Sequence, residues 1–226
     1  MAKNQYDLCI DVLQRLENAG ILQHIVLVGS WCTLFYKEYF EGTGYTPLLK
    51  TRDIDLLIPE PSRIKIKVDI AELLKEPGFV VGFTGSQGYI RLEHPELIVE
   101  FLVPEKGRST DKPYPLPQLG INAQALRFLD FLSKHTITVH IKGMSITLPH
   151  PAHFALHKLI ILQRRGDQAK SSKDEEAAQR ILHSLIRKGE KKFVRDVFNA
   201  MPSRRQKLVK KAIDKLNDPE VADVFA

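Results

Sequence analysis

Cysteine is scarce in this sequence, and long apolar runs are missing. The 226 residues include two cysteines, Cys9 and Cys32, and neither lies in a metal-ligand spacing. Such sparse thiols are typical of a reduced, cytoplasmic setting, which we expect here. No apolar run approaches the roughly 18 residues that a membrane-spanning helix requires, so we expect no membrane partner. The N-terminal stretch carries acids among its apolar residues, which indicates an amphipathic helix rather than a signal peptide.

Several common catalytic motifs are also missing. The sequence contains no serine-hydrolase elbow, no Walker loop and no Rossmann fingerprint. Gly82, Gly85 and Gly88 lie between predicted strands and open no helix, so they indicate turns.

Positive charge is unevenly distributed along the chain. Residues 1–150 contain 16 Lys/Arg and 17 Asp/Glu, whereas residues 151–226 contain 17 and 10, so the whole net charge of +6 comes from the last third. A basic module can attract nucleic acid or nucleotide phosphates. The alternative is a solvated face of basic helices.

Apolar periodicity predicts strands mixed with helices, followed by helices alone. We expect an α/β (α+β) domain with a mixed sheet over residues 1–148 and a basic all-helical domain over residues 149–226. The predicted helices before that boundary are 5–19, 31–40, 63–76 and a short one in 123–133. The predicted strands are 25–29, 53–59, 79–83, 88–93, 97–104 and a hairpin around 142–144. Residues 41–49 and 105–120 are predicted loops, and the final helices are expected to break near Pro202.

Two aspartates stand at the head of an apolar strand. Asp53 and Asp55 are two positions apart, so strand alternation directs both side chains to one face. Two like charges so close remain ionised most easily when a cation lies between them. The alternative is a pair of solvated acids at the entrance of the strand.

Glu100 interrupts an apolar run of six residues in a later strand. An unpaired buried carboxylate is unfavourable, so Glu100 either faces solvent or meets a partner such as a metal. Gly29 and Ser30 follow a buried strand and open a helix. Backbone amides of such a turn can bind phosphate, and Ser30 alternatively caps the helix.

The order of these elements resembles the nucleotidyltransferase superfamily of the DNA polymerase beta type. The segments VLVGSWCTLFY and TRDIDLLIP and the later strand with Glu100 carry the resemblance. It implies that Gly29 and Ser30 hold nucleotide phosphates, and that Asp53, Asp55 and Glu100 bind Mg²⁺ (or Mn²⁺) and perform catalysis. The 23 positions between Ser30 and Asp53 are more than is usual in the superfamily, and the 41–49 loop accommodates the excess.

The resemblance implies an enzyme that moves a nucleotidyl group from a nucleoside triphosphate to an acceptor hydroxyl or phosphate, in RNA or protein. It extends to uncharacterised bacterial nucleotidyltransferase-like proteins with a helical tail, including toxin-type relatives. The alternatives are a catalytically silent nucleotide- or RNA-binding module, and a toxin controlled by an antitoxin partner.

The predicted helix 151–165 carries Lys158 among apolar residues. Lys158 and the later Lys173-Asp174 resemble elements of the minimal and abortive-infection-type nucleotidyltransferases. In that subgroup such a lysine points at the triphosphate, which implies that Lys158 and Asp174 bind nucleotide here. The alternative is a lysine whose head group lies in water.

Two further groups of the helical third have less specific patterns. His150, His153 and His157 suggest a metal site, but no glutamate follows His153 as in zinc proteases, so packing or hydrogen bonding is the better interpretation. Arg164 and Arg165 either hold an acceptor or form part of a solvated face.

Overall fold

The computed structural model describes residues 4–47, 51–105, 107, 112–162 and 168–226. The chain divides into two compact units: Met1–Cys32 with Leu49–Pro149, and Thr33–Leu48 with His150–Ala226. No helix of the described residues is long and apolar enough to cross a membrane.

The first unit is built on a seven-stranded mixed sheet. The strand β5 is central: it lies parallel to β2 and β7 and antiparallel to β4. β1 and β3 complete the main order β1-β2-β5-β4-β3, and β6 pairs with β7. Their bounds are β1 Val26–Val28, β2 Asp53–Leu57, β3 Val80–Thr84, β4 Tyr89–Glu93, β5 Ile98–Pro104, β6 Tyr114–Leu116 and β7 Ile121–Leu126.

A helix and a hairpin complete this unit. The helix α1 (Gln5–Asn18) is capped by the Asn4 side chain, which accepts a hydrogen bond from the Asp7 amide at 2.8 Å. It ends before Gly20, whose φ of +70° is a conformation that glycine adopts readily. The strands β8 (Thr136–Ile141) and β9 (Met144–Pro149) form the predicted hairpin, and β9 packs beside β1.

The predicted helix over 63–76 is wrong. The short helix α3 covers only Ile70–Leu73, with Asp69 as its cap, and a 3₁₀ turn occupies Pro61–Arg63. Between them the chain is extended, because the Val68 amide bonds to the Gln118 carbonyl at 2.9 Å. Alternating β-branched residues suit that extended path better than a helix.

The segment 105–133 also differs from expectation. Part of it lies outside the described residues, but β6 and the 3₁₀ turn Pro117–Leu119 replace much of the predicted loop. The first part of the segment 123–133, in which a short helix is predicted, belongs to strand β7 instead, because pairing with β5 and β6 outweighs the local helical pattern there. Only α4 (Leu129–Leu132) is helical there, after Phe128 at φ +69°.

The second unit is helical. The helix α5 (Pro151–Leu162) is buried along almost its whole length, because α6, α7 and α8 all pack against it. A predicted break near Pro202 is confirmed between α7 and α8. The bounds of the later helices are α6 Gln168–Arg187, α7 Lys191–Asn199, α8 Ser203–Leu216 and α9 Pro219–Ala222.

Aromatic contacts explain why residues 33–48 belong to the helical unit. The helix α2 (Trp31–Tyr39) begins in the first unit and ends in the second. Its Tyr36 ring meets the Phe154 ring edge-on, with centroids 5.6 Å apart. The Tyr39 hydroxyl lies 2.9 Å from His150 Nε2 and donates to the Glu190 carboxylate at 2.7 Å. Burial, and then this carboxylate, raise the pKa of Tyr39 above its ordinary value.

The described elements therefore form the mixed sheet and the helical C-terminal region that the sequence predicts. The exact domain division at residue 148 stays a prediction.

Candidate active site

Two of the predicted carboxylates lie on adjacent strands in the middle of the sheet. Asp55 on β2 is the register partner of Glu100 on β5, so both side chains lie on one face. Neighbouring strands are about 4.8 Å apart, which places the two side chains side by side. Asp53 lies two positions earlier on β2 and shares this face. The sheet therefore brings the three predicted acids to one face.

These acids differ in exposure. Asp53 is exposed and its carboxylate accepts from the Thr51 hydroxyl at 3.3 Å, whereas Asp55 and Glu100 are half-buried. Glu100 is therefore neither fully exposed nor fully buried, and a metal as its partner stays a prediction. Asp53 is therefore the solvent-exposed end of this row of carboxylates, and Asp55 and Glu100 lie further inside.

The turn at Gly29 lies directly beside this row of carboxylates. Val28, the last residue of β1, is the register partner of Asp55, so the turn follows next to that carboxylate. Gly29 has a φ of +73°, and a Cβ there would lie 3.0 Å from Asp55 Cγ and closer still to Oδ2. Only glycine combines this backbone conformation with so close a carboxylate.

Ser30 leads from the turn into α2. The Cys32 amide bonds to the Gly29 carbonyl at 3.3 Å, so the chain turns into the helix within three residues. The first amides of a helix have no intrahelical acceptor and carry a partial positive charge. Together, Gly29, Ser30 and the start of α2 place phosphate-binding groups beside the Asp55 carboxylate.

Arg91 is a functional candidate that the sequence analysis missed. It is the register partner of Glu100 on β4, so Asp55, Glu100 and Arg91 form one row across three strands. Its Nε donates to Glu93 Oε1 at 2.6 Å, and about a third of its side chain is exposed. A guanidinium in this position can pair with a phosphate or carboxylate. The alternation in residues 89–93 places Arg91 on one face of its strand, but only the observed pairing identifies its neighbour.

The donor set fits a hard divalent cation. Among the described residues, no three His, Cys, Asp or Glu side chains form a group that holds an ion alone. Mg²⁺ usually takes one or two carboxylates and completes its shell with water and substrate phosphates. Asp53 and Asp55, adjacent on one face and beside the Gly29 turn, have the chemistry for that arrangement.

Lys158 and Asp174 form an ion pair inside the helical unit. Lys158 Nζ lies 2.6 Å from Asp174 Oδ1, and both side chains are less than 10% exposed. Lys158 on α5 therefore does not place its head group in water. His153 and His157 are buried on the same helix, in agreement with the packing interpretation. Arg164 and Arg165 lie outside the described residues.

Comparison with known proteins gives a family for this chain. A family model described as "Nucleotidyltransferase" matches residues 7–202 of this chain. No curated protein matches it significantly.

Two solved structures are similar to this chain at low sequence identity. The crystal structure of ANT(2")-Ia in complex with adenylyl-2"-tobramycin is 12% identical, with 93% of this chain and 98% of that chain covered at a TM-score of 0.48. An antigenic nucleotidyltransferase-like protein from Paracoccidioides brasiliensis is 16% identical, with 97% and 90% covered at a TM-score of 0.49. Neither likeness identifies a substrate for this chain.

Proposed function

This chain belongs to the nucleotidyltransferase family, and we propose that it moves a nucleotidyl group from a nucleoside triphosphate to a hydroxyl or phosphate of an acceptor with the help of Mg²⁺. The observation that supports this most strongly is the Gly29 turn packed against the Asp55 carboxylate, with Glu100 opposite. A single ligand that contacts both the phosphate-binding turn and the row of acids accounts for their proximity.

The turn binds the negatively charged end of the substrate. Backbone amides after Gly29 and the Ser30 hydroxyl donate hydrogen bonds to phosphate oxygens, and the start of α2 adds its partial positive charge. A side chain at position 29 would block this approach, since Asp55 already occupies the space beside the glycine.

Asp53 and Asp55 hold the cation that accompanies the triphosphate. A divalent ion neutralises phosphate charge and orients the reacting groups for in-line displacement. The two carboxylates share one face of β2, and Asp53 is open to solvent, so an entering metal–nucleotide complex can reach them.

Glu100 acts on the acceptor. The acceptor oxygen attacks the α-phosphorus, a new oxygen–phosphorus bond forms, and the bond to the bridging oxygen breaks to release pyrophosphate. Glu100 takes the proton from an attacking hydroxyl, because its carboxylate lies beside Asp55 on the neighbouring strand. It contributes to the cation site as well when a second ion binds there.

Lys158 and Asp174 contribute to nucleotide binding in this proposal. The short contact between them fixes the direction of the long lysine side chain toward Asp174. The same contact also stabilises the helical unit by itself, and a variant must separate these two effects.

The experiment is transfer of label from each α-labelled nucleoside triphosphate, with Mg²⁺ and a cell extract as the source of acceptor. We expect the wild-type protein to label an acceptor and the variant with Asp53→Asn and Asp55→Asn to label none. A variant with Asp196→Asn and Asp214→Asn removes two exposed carboxylates from the helical unit and serves as the matched control.

Equal labelling by the wild type and the Asp53 and Asp55 variant contradicts the assignment of the metal site. Nucleotide binding by the wild type without any transfer, across all four triphosphates, identifies a silent nucleotide-binding module instead.

A further inference from the structure

One face of α8 is exposed and strongly basic. This helix contains six Lys/Arg and a single acid, Asp214. Five of its cations are exposed, and four of these recur every three or four positions, so they form a straight stripe along one side. The stripe residues are Arg204, Lys207, Lys211 and Lys215.

The stripe is not neutralised by the protein. Within the described part of the chain, no carboxylate forms an ion pair with any of its four cations, whereas other basic residues nearby are paired, such as Lys191 with Asp223. Eleven positions separate its ends, which at 1.5 Å per residue is a length of about 16 Å. Four unneutralised positive charges over that distance attract an extended polyanion.

The opposite side of α8 is already occupied. Val209, Ala212 and Ile213 are buried, because this side packs against α5 and α9. An amphipathic helix that binds a lipid surface inserts its apolar side, and α8 has no such side available. Charge complementarity therefore favours a soluble polyanion over a membrane.

The side chains of the stripe also favour a duplex over a single strand. Proteins that bind single strands stack bases on exposed aromatic rings, and α8 contains no aromatic residue. Among the described residues, the strongly exposed large apolar side chains all lie in the other unit. Long basic side chains without aromatic neighbours suit a regular phosphate backbone.

We infer that the α8 stripe binds the phosphate backbone of a double-stranded nucleic acid. The stripe supplies affinity without base recognition, because it contacts phosphates only. The inference comes from the charge and packing of α8, so it holds whether or not Asp53 and Asp55 form the transfer site.

Fluorescence anisotropy with a labelled duplex of about 20 base pairs, roughly two helical turns, tests this directly. The titrations use the full chain with chelator and without nucleotide, so that the proposed transfer site does not contribute. If four phosphates are contacted, the slope of log affinity against log salt is about −3.6, and affinity falls on the order of 150-fold between about 50 and 200 mM salt.

The test variant carries glutamine at Arg204, Lys207, Lys211 and Lys215, and we expect it to bind at least about tenfold more weakly with a slope near zero. The matched control carries glutamine at four exposed lysines of the other unit and should bind like the wild type. These control positions are Lys65, Lys67, Lys112 and Lys134. Thermal unfolding confirms that both variants fold.

Three results would overturn the inference: wild-type affinity in the α8 variant, an equal loss in the control variant, or equally tight binding of a single strand. Binding only to vesicles of phosphatidylcholine with phosphatidylserine, and not to duplex RNA or DNA, would overturn it as well. The variant with Asp53→Asn and Asp55→Asn should keep duplex binding, so a failure of the transfer proposal remains distinguishable from a failure of this one.

Discussion

Replacing Gly29 by alanine tests whether the turn at Gly29 lies against the Asp55 carboxylate. An L-residue at a φ of +73° costs about 1–2 kcal/mol. The added methyl group also meets the Asp55 carboxylate, whose Cγ would lie 3.0 Å away. Forcing that carboxylate aside costs a further 1–3 kcal/mol or so, as in other overpacked sites. We therefore expect a loss of about 2–5 kcal/mol in the free energy of unfolding.

Urea unfolding of the wild type and four variants separates these two costs. Gly143→Ala is the matched control, because Gly143 has a φ of +82° with nothing near its missing Cβ, so it should lose only the backbone part of about 1–2 kcal/mol. Gly29→Ala in an Asp55→Ala background should also lose only about that much. The coupling between positions 29 and 55 is then about 1–3 kcal/mol.

The predicted coupling would be contradicted if the substitutions at 29 and 55 had additive effects on the free energy of unfolding. Equal losses of that free energy for Gly29→Ala and Gly143→Ala would contradict it as well. In either case the Asp55 carboxylate would not lie against the turn. Transfer activity should fall with Gly29→Ala even where the protein remains folded, because the displaced carboxylate no longer lies beside the phosphate-binding amides.

Three other predictions follow from particular contacts. Glu100→Gln should lower kcat while leaving nucleotide affinity, measured by titration calorimetry, almost unchanged; full activity would exclude its role toward the acceptor. Lys158→Met should lower the free energy of unfolding by about 3–5 kcal/mol, because it removes the cationic partner of the buried Asp174 carboxylate. Asp174→Leu in the same chain should restore most of this loss. If Lys158 also contacts phosphate, the double variant with Lys158→Met and Asp174→Leu should bind triphosphate more weakly than the wild type by about 1.5–3 kcal/mol. An unchanged affinity for triphosphate would restrict the ion pair to a structural role. Burial raises the pKa of Asp218, but hydrogen bonds from Gln179, the Val221 amide and His183 outweigh it and hold that pKa below its ordinary value of 3.8. Wild-type stability relative to Asp218→Asn should therefore decline as the pH falls below about 4. A parallel pH dependence of the two proteins in that range would contradict it.

The local pattern predicts the carboxylates of the candidate site well. Alternation along β2 places Asp53 and Asp55 on one face, and the apolar run around Glu100 marks its strand. These properties depend on neighbours in sequence, so they can be read without the fold. The contact of Gly29 with Asp55 depends on the pairing of β1 with β2 across a long loop, and no local pattern reports that pairing.

The elements that the sequence predicts wrongly also depend on backbone partners that are distant in sequence. The segment 63–76 contains enough apolar residues for a helix, but its path is set by a hydrogen bond from Val68 to the distant Gln118. Strand β7 forms where a helix was expected, because β5 and β6 offer backbone partners to it. Arg91 joins the site for a similar reason, since only the register of β4 against β5 places it beside Glu100.

In the proposed function, Asp53 and Asp55 bind a divalent cation together with nucleotide phosphates. The most direct measurement is a crystal structure with Mn²⁺ and a non-hydrolysable nucleoside triphosphate, in which anomalous scattering locates the ion. We predict an ion at about 2.0–2.3 Å from carboxylate oxygens of Asp53 and Asp55, with phosphate oxygens completing its shell and the phosphates against the Gly29 turn. An ion bound elsewhere, or a triphosphate bound away from that turn, would contradict the account.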